Sequence, residues 1–391
     1  MSRILFVVPP LTGHINPALS VAAELETLGH DVRWAVHEAI VSHLFPDETK
    51  IIPLPIDPGF MQDFVSHSRQ VRGLASVRFF YEDLCLPLTR LSLTPLEKIV
   101  RDFQPDMIIC DHQMLAGALV ARKMQIPWLT LATTSASVLK VSSVNVMDDW
   151  ISAQMLELQK AYAMPEIVER PDFSPYGIIV FSSQELVGSE HECFPATYHF
   201  VGPAFSSRSQ SEDFPWNLLD PSLPKILVSL GTVSRDRGLR FYEVLMEALA
   251  EMPLQVIMAG PDILKEKAPK NFIIQSRIPQ LALLPHMTAV ICHAGHNTVC
   301  ESLYFGLPLI VAPIRDDQPV VAQQVVNAGA GLFMRYGKVS VTAARETVQR
   351  LLDEPQFRMR AQALAESFKR LGGAKQAAGI IVHTIEKLSA H

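Results

Sequence analysis

The sequence predicts an α/β protein built from two doubly wound domains. Short aliphatic runs alternate with longer segments of helical period, the pattern of parallel strands linked by crossover helices. The chain has 391 residues, beyond the size at which one core keeps growing, which favours two domains of roughly 200 residues each. A polar, proline-punctuated stretch near the middle, from Ser206 to Pro224, interrupts the alternation and suits an interdomain linker.

In the first half the spacing predicts strands over residues 4–8, 32–36, 107–110, 129–132 and 178–181. The first helix is read from Pro17 to Leu28, with proline suited to its first turn, Ala18, Val21, Ala22, Leu25 and Leu28 on one face, and Gly29 as the stop. After the linker, strands are expected over 226–229, 255–258, 273–275, 289–292 and 309–311, and helices over 239–250, 297–305 and 318–327. Gly372-Gly373 sets off a terminal helix over 374–388. The expected domains are therefore 1–205, a linker 206–224, a second domain 225–372, and a last segment 373–391 packing back on the first. Ligands of such sheets bind outside the carboxyl ends of the strands, so the two domains are expected to face each other across a cleft.

Composition narrows the function classes. With 48% hydrophobic and 19% charged residues the chain reads as a packed globular enzyme. A net charge of -6 and the lack of a basic run disfavour nucleic acid as a partner. The five cysteines are scattered, with no C-x-x-C pair, which points to a reducing cytoplasm and not to disulfides or zinc. No apolar run reaches the ~18 residues of a membrane span, so no integral membrane segment is expected. Oligomeric state is not legible.

Strand 289–292 runs straight into His293-Ala294-Gly295 and then a helix, presenting backbone N–H groups at a helix N-terminus, a natural anion site. Asn297 and Thr298 add donors in the first turn, where a diphosphate oxygen is within reach. Glu301 lies at i+4 from Asn297, one turn deeper on the same face, placed for ribose hydroxyls. The plainer reading is a helix merely started by Asn297 and Thr298, with a solvated Glu301. Asp316-Asp317 ahead of Gln318 likewise reads either as a helix cap or as a ligand-binding turn.

Four elements occur in order: Pro279-Gln280, His293 to Glu301 as His-x-Gly-x-Asn-Thr-x-x-Glu, Gly306-Leu307-Pro308, and Asp317-Gln318. With these the chain resembles the family 1 glycosyltransferases, the UDP-glycosyltransferases, over essentially its whole length. The resemblance implies the GT-B fold, two Rossmann-like domains facing each other, and a UDP-sugar co-substrate, UDP-glucose first and a TDP-sugar second. It assigns His293, Asn297 and Thr298, with Gly295 in the turn, to the diphosphate, Glu301 to the ribose, and Asp317 with Gln318 to the sugar. Ser229-Leu230-Gly231-Thr232 looks like a further phosphate contact through Gly231 and Thr232. One position departs from the family pattern: Arg277 stands where a base-stacking tryptophan is usual, so a guanidinium plane would stack on the base and the Ile278 backbone would pair with it. No Asp-x-Asp occurs, so no metal and no resident cofactor are expected.

Making a glycosidic bond needs a base that works near neutral pH, and histidine suits it. His14 follows the first strand in a glycine-containing turn, and Asp111 follows the strand 107–110. Both match the family's catalytic pair, which implies an inverting single displacement in which Asp111 orients the His14 ring. His112 is expected to project elsewhere. Phe60, Met61, Phe64, Phe79, Phe80, Tyr81, Met147 and Trp150 lie outside the clear strand pattern and together suggest a small, apolar, hydroxylated acceptor, although each alone reads as core. The wording of the donor segment is similar to bacterial carotenoid glucosyltransferases and polyketide-tailoring enzymes. Competing readings are a nucleotide-sugar epimerase or lipid-intermediate glycosyltransferase of the same fold, or a non-catalytic sugar-nucleotide-binding helper.

Overall fold

The computed structural model describes residues 1–57, 59–68, 71, 74–138, 145–188, 194–205, 214–231 and 239–390. The chain separates into two compact units: Met1–Ser183, His191–Ser206 and Leu371–His391 form the first, Gln184–Glu190 and Ser207–Arg370 the second.

In the first unit the strands are β1 (Arg3–Val7), β2 (Asp31–Val36), β3 (Ile51–Pro53), β4 (Met107–Asp111), β5 (Trp128–Ala132), β6 (Ile178–Val180) and β7 (Tyr198–Phe200). They form one parallel sheet in the order β3-β2-β1-β4-β5-β6-β7. The central strands are buried on both faces, which is why they read as unbroken apolar runs. Successive residues of β1 serve opposite sides: Ile4 and Phe6 join one core cluster, Leu5 and Val7 the other. The terminal helix, Gly373–Ser389, contributes Ala377, Ala378, Ile381 and Ile385 to the cluster that also holds Ile15, Ala18, Val21 and Leu25 of the first helix.

The second unit repeats the plan with β8 (Lys225–Ser229), β9 (Gln255–Ala259), β10 (Phe272–Gln275), β11 (Ala289–Cys292), β12 (Leu309–Val311) and β13 (Gly331–Phe333), a parallel sheet in the order β10-β9-β8-β11-β12-β13. Ile226, Val228, Val256, Met258 and Ile291 anchor its core cluster, against which the helices Leu239–Leu249 and Val341–Asp353 lay buried residues. Among the described residues no helix is long and apolar enough to cross a membrane.

The first helix spans Thr12–Thr27, not 17–28, and Pro17 lies inside it. The reason is local. The Leu11 carbonyl accepts from the N–H groups of both His14, at 2.9 Å, and Ile15, at 3.0 Å, so the first turn closes ahead of the proline. The sequence does not predict β3, β7 and β13, which lie at sheet edges, are partly exposed and lack the unbroken aliphatic runs of the central strands.

Two features of the first unit bear on stability. Gly117, in the helix Leu115–Lys123 that follows β4, has room for no side chain: a Cβ there would lie 2.5 Å from that of Cys110 and 3.2 Å from that of Val7. We expect Gly117→Ala to cost about 1–3 kcal/mol through overpacking, read as a lower urea midpoint. His37 is fully buried, its Nε2 3.4 Å from Ser92 Oγ, and burial pushes its imidazole down to about 4. Above the ordinary histidine range the ring is neutral in both folded and unfolded chains. As pH falls through 6.5 towards 4 only the unfolded chain takes the proton, so stability is lost over that window. In His37→Gln the drop in unfolding free energy across the same window is expected to be smaller by on the order of 3 kcal/mol, measured by urea titrations at a series of pH values.

Candidate active site

Each sheet reverses its winding once. In the first unit β2 and β3 build out to one side of β1, whereas β4 to β7 build out to the other. The reversal falls between β1 and β4, where chains leaving the two carboxyl ends diverge and open a crevice. His14, in the first turn of the helix after β1, and Asp111, the last residue of β4, flank this point. His14 Nδ1 lies 2.8 Å from Asp111 Oδ2. Thr133, directly after β5, completes the group: its hydroxyl donates to Asp111 Oδ2 at 2.7 Å and lies 2.7 Å from His14 Nδ1. The register that pairs Asp111 with Leu131 brings β4 and β5 to end side by side.

The Asp111 side chain is wholly buried, while that of His14 keeps 15% of its surface. Burial alone would raise the carboxyl. The neighbouring His14 and His112 rings and the hydrogen bonds from His14 and Thr133 outweigh it and hold Asp111 down at about 2. Its other oxygen accepts the Gln113 N–H at 2.8 Å, closing a local turn ahead of the helix Leu115–Lys123, whose N-cap is Met114. His112 does not project elsewhere. After the strand the chain turns, and its ring stacks beside that of His14 with centroids 6.1 Å apart, its Nδ1 3.3 Å from the Leu131 carbonyl oxygen.

Near this group runs a chain of rings. Phe64 stacks on Phe79 at 5.2 Å and meets Phe80 edge-on at 6.3 Å; Phe80 meets Tyr81, and Tyr81 meets Trp150 at 6.4 Å. Tyr81 opens a π-helical turn, Tyr81–Cys85, a rare geometry concentrated at functional positions. Burial pushes its phenol pKa up, and the charges of Asp172 and Asp111 act in the same direction. Phe60 and Met61, on the helix Phe60–Ser68, pack against the same core cluster. Met147 is half-buried on the helix Asn145–Ala161, which also carries Trp150.

The second unit reverses between β8 and β11, and its grouped residues lie there. Gly231 follows β8 at φ +72°, and His293 follows β11. The two glycines make space for the ring: a Cβ on Gly231 would come within 2.7 Å of it, and one on Gly295 within 2.5 Å. Burial pushes the His293 imidazole down to about 4, against the opposing pull of Asp317 and the Ser229 backbone, so it is neutral at pH 7. Thr232 lies outside the described residues. Ala294 sits at φ +64°, turning the chain into the helix His296–Tyr304, whose N-cap is Gly295 and which no side chain caps. Asn297 and Thr298 are thus in the first turn, not ahead of it.

Glu301 is 3% exposed, not a solvated carboxylate, and accepts a hydrogen bond from Gln280 Nε2 at 2.7 Å. This contact joins two of the four motif elements. Arg277 is exposed and Ile278 half-buried in the turn after β10. Asp317 is the N-cap residue of the helix Gln318–Asn327 but its side chain makes no capping bond. Gln318 turns its side-chain carbonyl back onto the N–H groups of Ile314, at 2.9 Å, and Arg315, at 3.1 Å, which leaves its amide hydrogens as the donors for a ligand. Arg315 is buried beside Asp316, itself at φ +56°. Sequence reasoning passed over Arg315 and Thr133. The hydroxyl run Thr133-Thr134-Ser135 at a strand's carboxyl end was the available signal for Thr133.

Comparison with known proteins agrees with this arrangement. The C-terminal domain of the erythromycin biosynthesis protein CIII-like family matches residues 243–372. The uncharacterized UDP-glucosyltransferase YojK of Bacillus subtilis (strain 168) is 27% identical over 411 residues, covering 99% of this chain and 98% of the relative. The NDP-glycosyltransferase YjiC of the same organism is 28% identical over 396 residues, 97% of this chain and 96% of the relative. The crystal structure of the calicheamicin glycosyltransferase CalG4 superposes with a TM-score of 0.76 at 22% identity, over 99% of this chain and 98% of that one. Two parallel Rossmann-like sheets of this kind define the GT-B class of glycosyltransferases. Over nearly its whole length the chain is thus similar to family 1 glycosyltransferases, and its fold is the one they share.

The glycine clamp on His293 is open to direct test. Gly295→Ala keeps an allowed backbone but pushes on the ring. Nucleoside diphosphate affinity is expected to fall about tenfold by calorimetry, about 1.4 kcal/mol, with little change in the urea midpoint.

Proposed function

We propose that this protein is an inverting, metal-independent glycosyltransferase that moves a hexose, glucose in the first instance, from a UDP-sugar to a hydroxyl of a small apolar natural product. The observation that carries the reading is the contact between His14 and buried, ionised Asp111 at the switch point of the first sheet. A histidine in this setting takes the acceptor proton. The acceptor oxygen then attacks the anomeric carbon as the bond to the diphosphate breaks, and configuration inverts. Asp111 steadies the imidazolium that forms and stays charged throughout.

On the donor side His293, Asn297 and Thr298 hold the diphosphate, with Gly231 and Thr232 closing from the neighbouring turn. Because His293 is neutral, it serves as an N–H donor. The positive potential comes from the helix N-terminus it precedes. Glu301, steadied by Gln280, takes the ribose, and Asp317 with the Gln318 amide takes the sugar hydroxyls. Arg277 stacks on the base, with the Ile278 backbone pairing to it. UDP over TDP, and glucose over other hexoses, are supported by the name of the relative aligned over nearly the whole chain. The rings of Phe64, Phe79, Phe80, Tyr81 and Trp150, with Phe60, Met61 and Met147, support an apolar acceptor.

His14→Ala is expected to lower transfer by about 10²–10⁴-fold. The affinity for UDP should stay within about twofold of the parent, since none of the proposed donor contacts is touched. The assay offers UDP-glucose with phenolic, polyketide and carotenoid alcohols and reads added hexose by mass spectrometry. Wild-type transfer by the variant would remove His14 from the mechanism. Conversion of the donor without any acceptor would favour an epimerase, and donor binding with no product on any acceptor a non-catalytic helper.

A further inference from the structure

We propose that Thr133 is a positioning residue that holds the Asp111 carboxylate and the His14 ring in register, making the pair a three-residue unit. The proposal rests on the base role of His14 given above. Asp111 Oδ2, His14 Nδ1 and Thr133 Oγ1 form a triangle: 2.8 Å from Oδ2 to Nδ1, 2.7 Å from Oγ1 to Nδ1, and 2.7 Å from Oγ1 to Oδ2. Three heteroatoms this close must have hydrogens between them, and only two of the three groups have one to give. The carboxylate has none, and the hydroxyl has one.

If the hydroxyl hydrogen pointed at Nδ1, that nitrogen would be an acceptor. It would then face the carboxylate lone pairs at 2.8 Å with nothing between them. If the hydroxyl donates to Oδ2, Nδ1 must carry a hydrogen, which Oδ2 and the Thr133 lone pair share. Only this second pattern leaves no acceptor facing an acceptor. The carboxylate thereby excludes the tautomer with an Nδ1 lone pair, so Nε2 carries the lone pair able to take a proton, and the Thr133 hydroxyl, by donating to Oδ2, holds the carboxylate in that contact. The hydroxyl also supplies a second donor to Oδ2, while the Gln113 N–H occupies Oδ1, so the carboxylate plane is fixed at both oxygens.

The placement is rigid. Thr133 is 3% exposed and follows β5 directly, and that strand is locked to β4 by the pairing of Cys110 with Thr130 and Asp111 with Leu131. The hydroxyl is thus delivered by the sheet, and a valine would fill the same volume without it.

The test uses the full chain with Thr133→Val and Thr133→Ser. The valine variant should lose about ten- to a hundredfold in kcat, the scale for one hydrogen bond to a charged group. Its donor KM should stay within about twofold, and serine should restore most of the rate. Proton-nitrogen NMR on protein with ¹⁵N-labelled histidine, with the His14 signal assigned by its loss in His14→Gln, reads the tautomer without turnover. All three should show the Nδ1–H form that Asp111 demands, and in the valine variant its signal should shift and broaden as the carboxylate loosens. Should the valine variant fail to fold, Thr133→Ala removes the same hydroxyl. A parent-like kcat together with a parent-like His14 signal in the variant lacking the hydroxyl would overturn the proposal. If His14→Ala keeps transfer activity, the base reading fails, yet the NMR still decides whether Thr133 holds the His14–Asp111 contact.

Discussion

The reversal of winding at the centre of each parallel sheet is the constraint from which the grouping of residues in each unit follows. Right-handed crossovers carry successive strands outward in one direction, and continuing on the far side requires one return to the middle. At that place alone the connections after two adjacent strands lead away from each other, leaving strand ends and a helix start uncovered. His14 and Asp111 occupy the gap between β1 and β4, and Gly231 and His293 occupy the gap between β8 and β11. The grouped polar residues of both units therefore follow four strand ends, while the buried strands behind them provide rigidity.

The two gaps treat charge differently. In the first, a carboxylate with no exposed side-chain surface stays ionised because two histidine rings, a hydroxyl and a backbone N–H surround it. In the second, burial keeps His293 uncharged, and the helix behind it supplies a partial positive end that does not titrate. One histidine is thus set beside a buried counter-charge, whereas the other is held neutral by burial.

Much of this was legible in the sequence, for identifiable reasons. Strands buried on both faces announce themselves as aliphatic runs, and Asp111 and His293 stand at the ends of such runs. The pairing of Asp111 with His14 came from the resemblance, as did the expectation that His293 meets a sugar nucleotide, since spacing alone left a capped helix equally acceptable. The position of Thr133 against His14 was not legible: the contact joins residues 119 positions apart and depends on the register of β4 with β5. Nor was the direction of His112, which is settled by the turn that Asp111 makes with Gln113. The early start of the first helix was hidden by Pro17, which local rules place at a first turn and the structure places a turn later.

The first unit is assembled from pieces of chain that are far apart, and this has a consequence for how the protein is made. Its apolar cluster around Ile15, Ala18, Val21 and Leu25 is completed by Ala377, Ala378, Ile381 and Ile385. A ribosome delivers the chain from the N-terminal end. All of the second unit is therefore synthesised before the helix that covers this cluster exists. During that interval the first unit carries an uncovered apolar strip beside the very helix that holds His14. Nascent chains are most exposed to aggregation and to chaperone capture at that stage, and the last helix to emerge is the one that ends it.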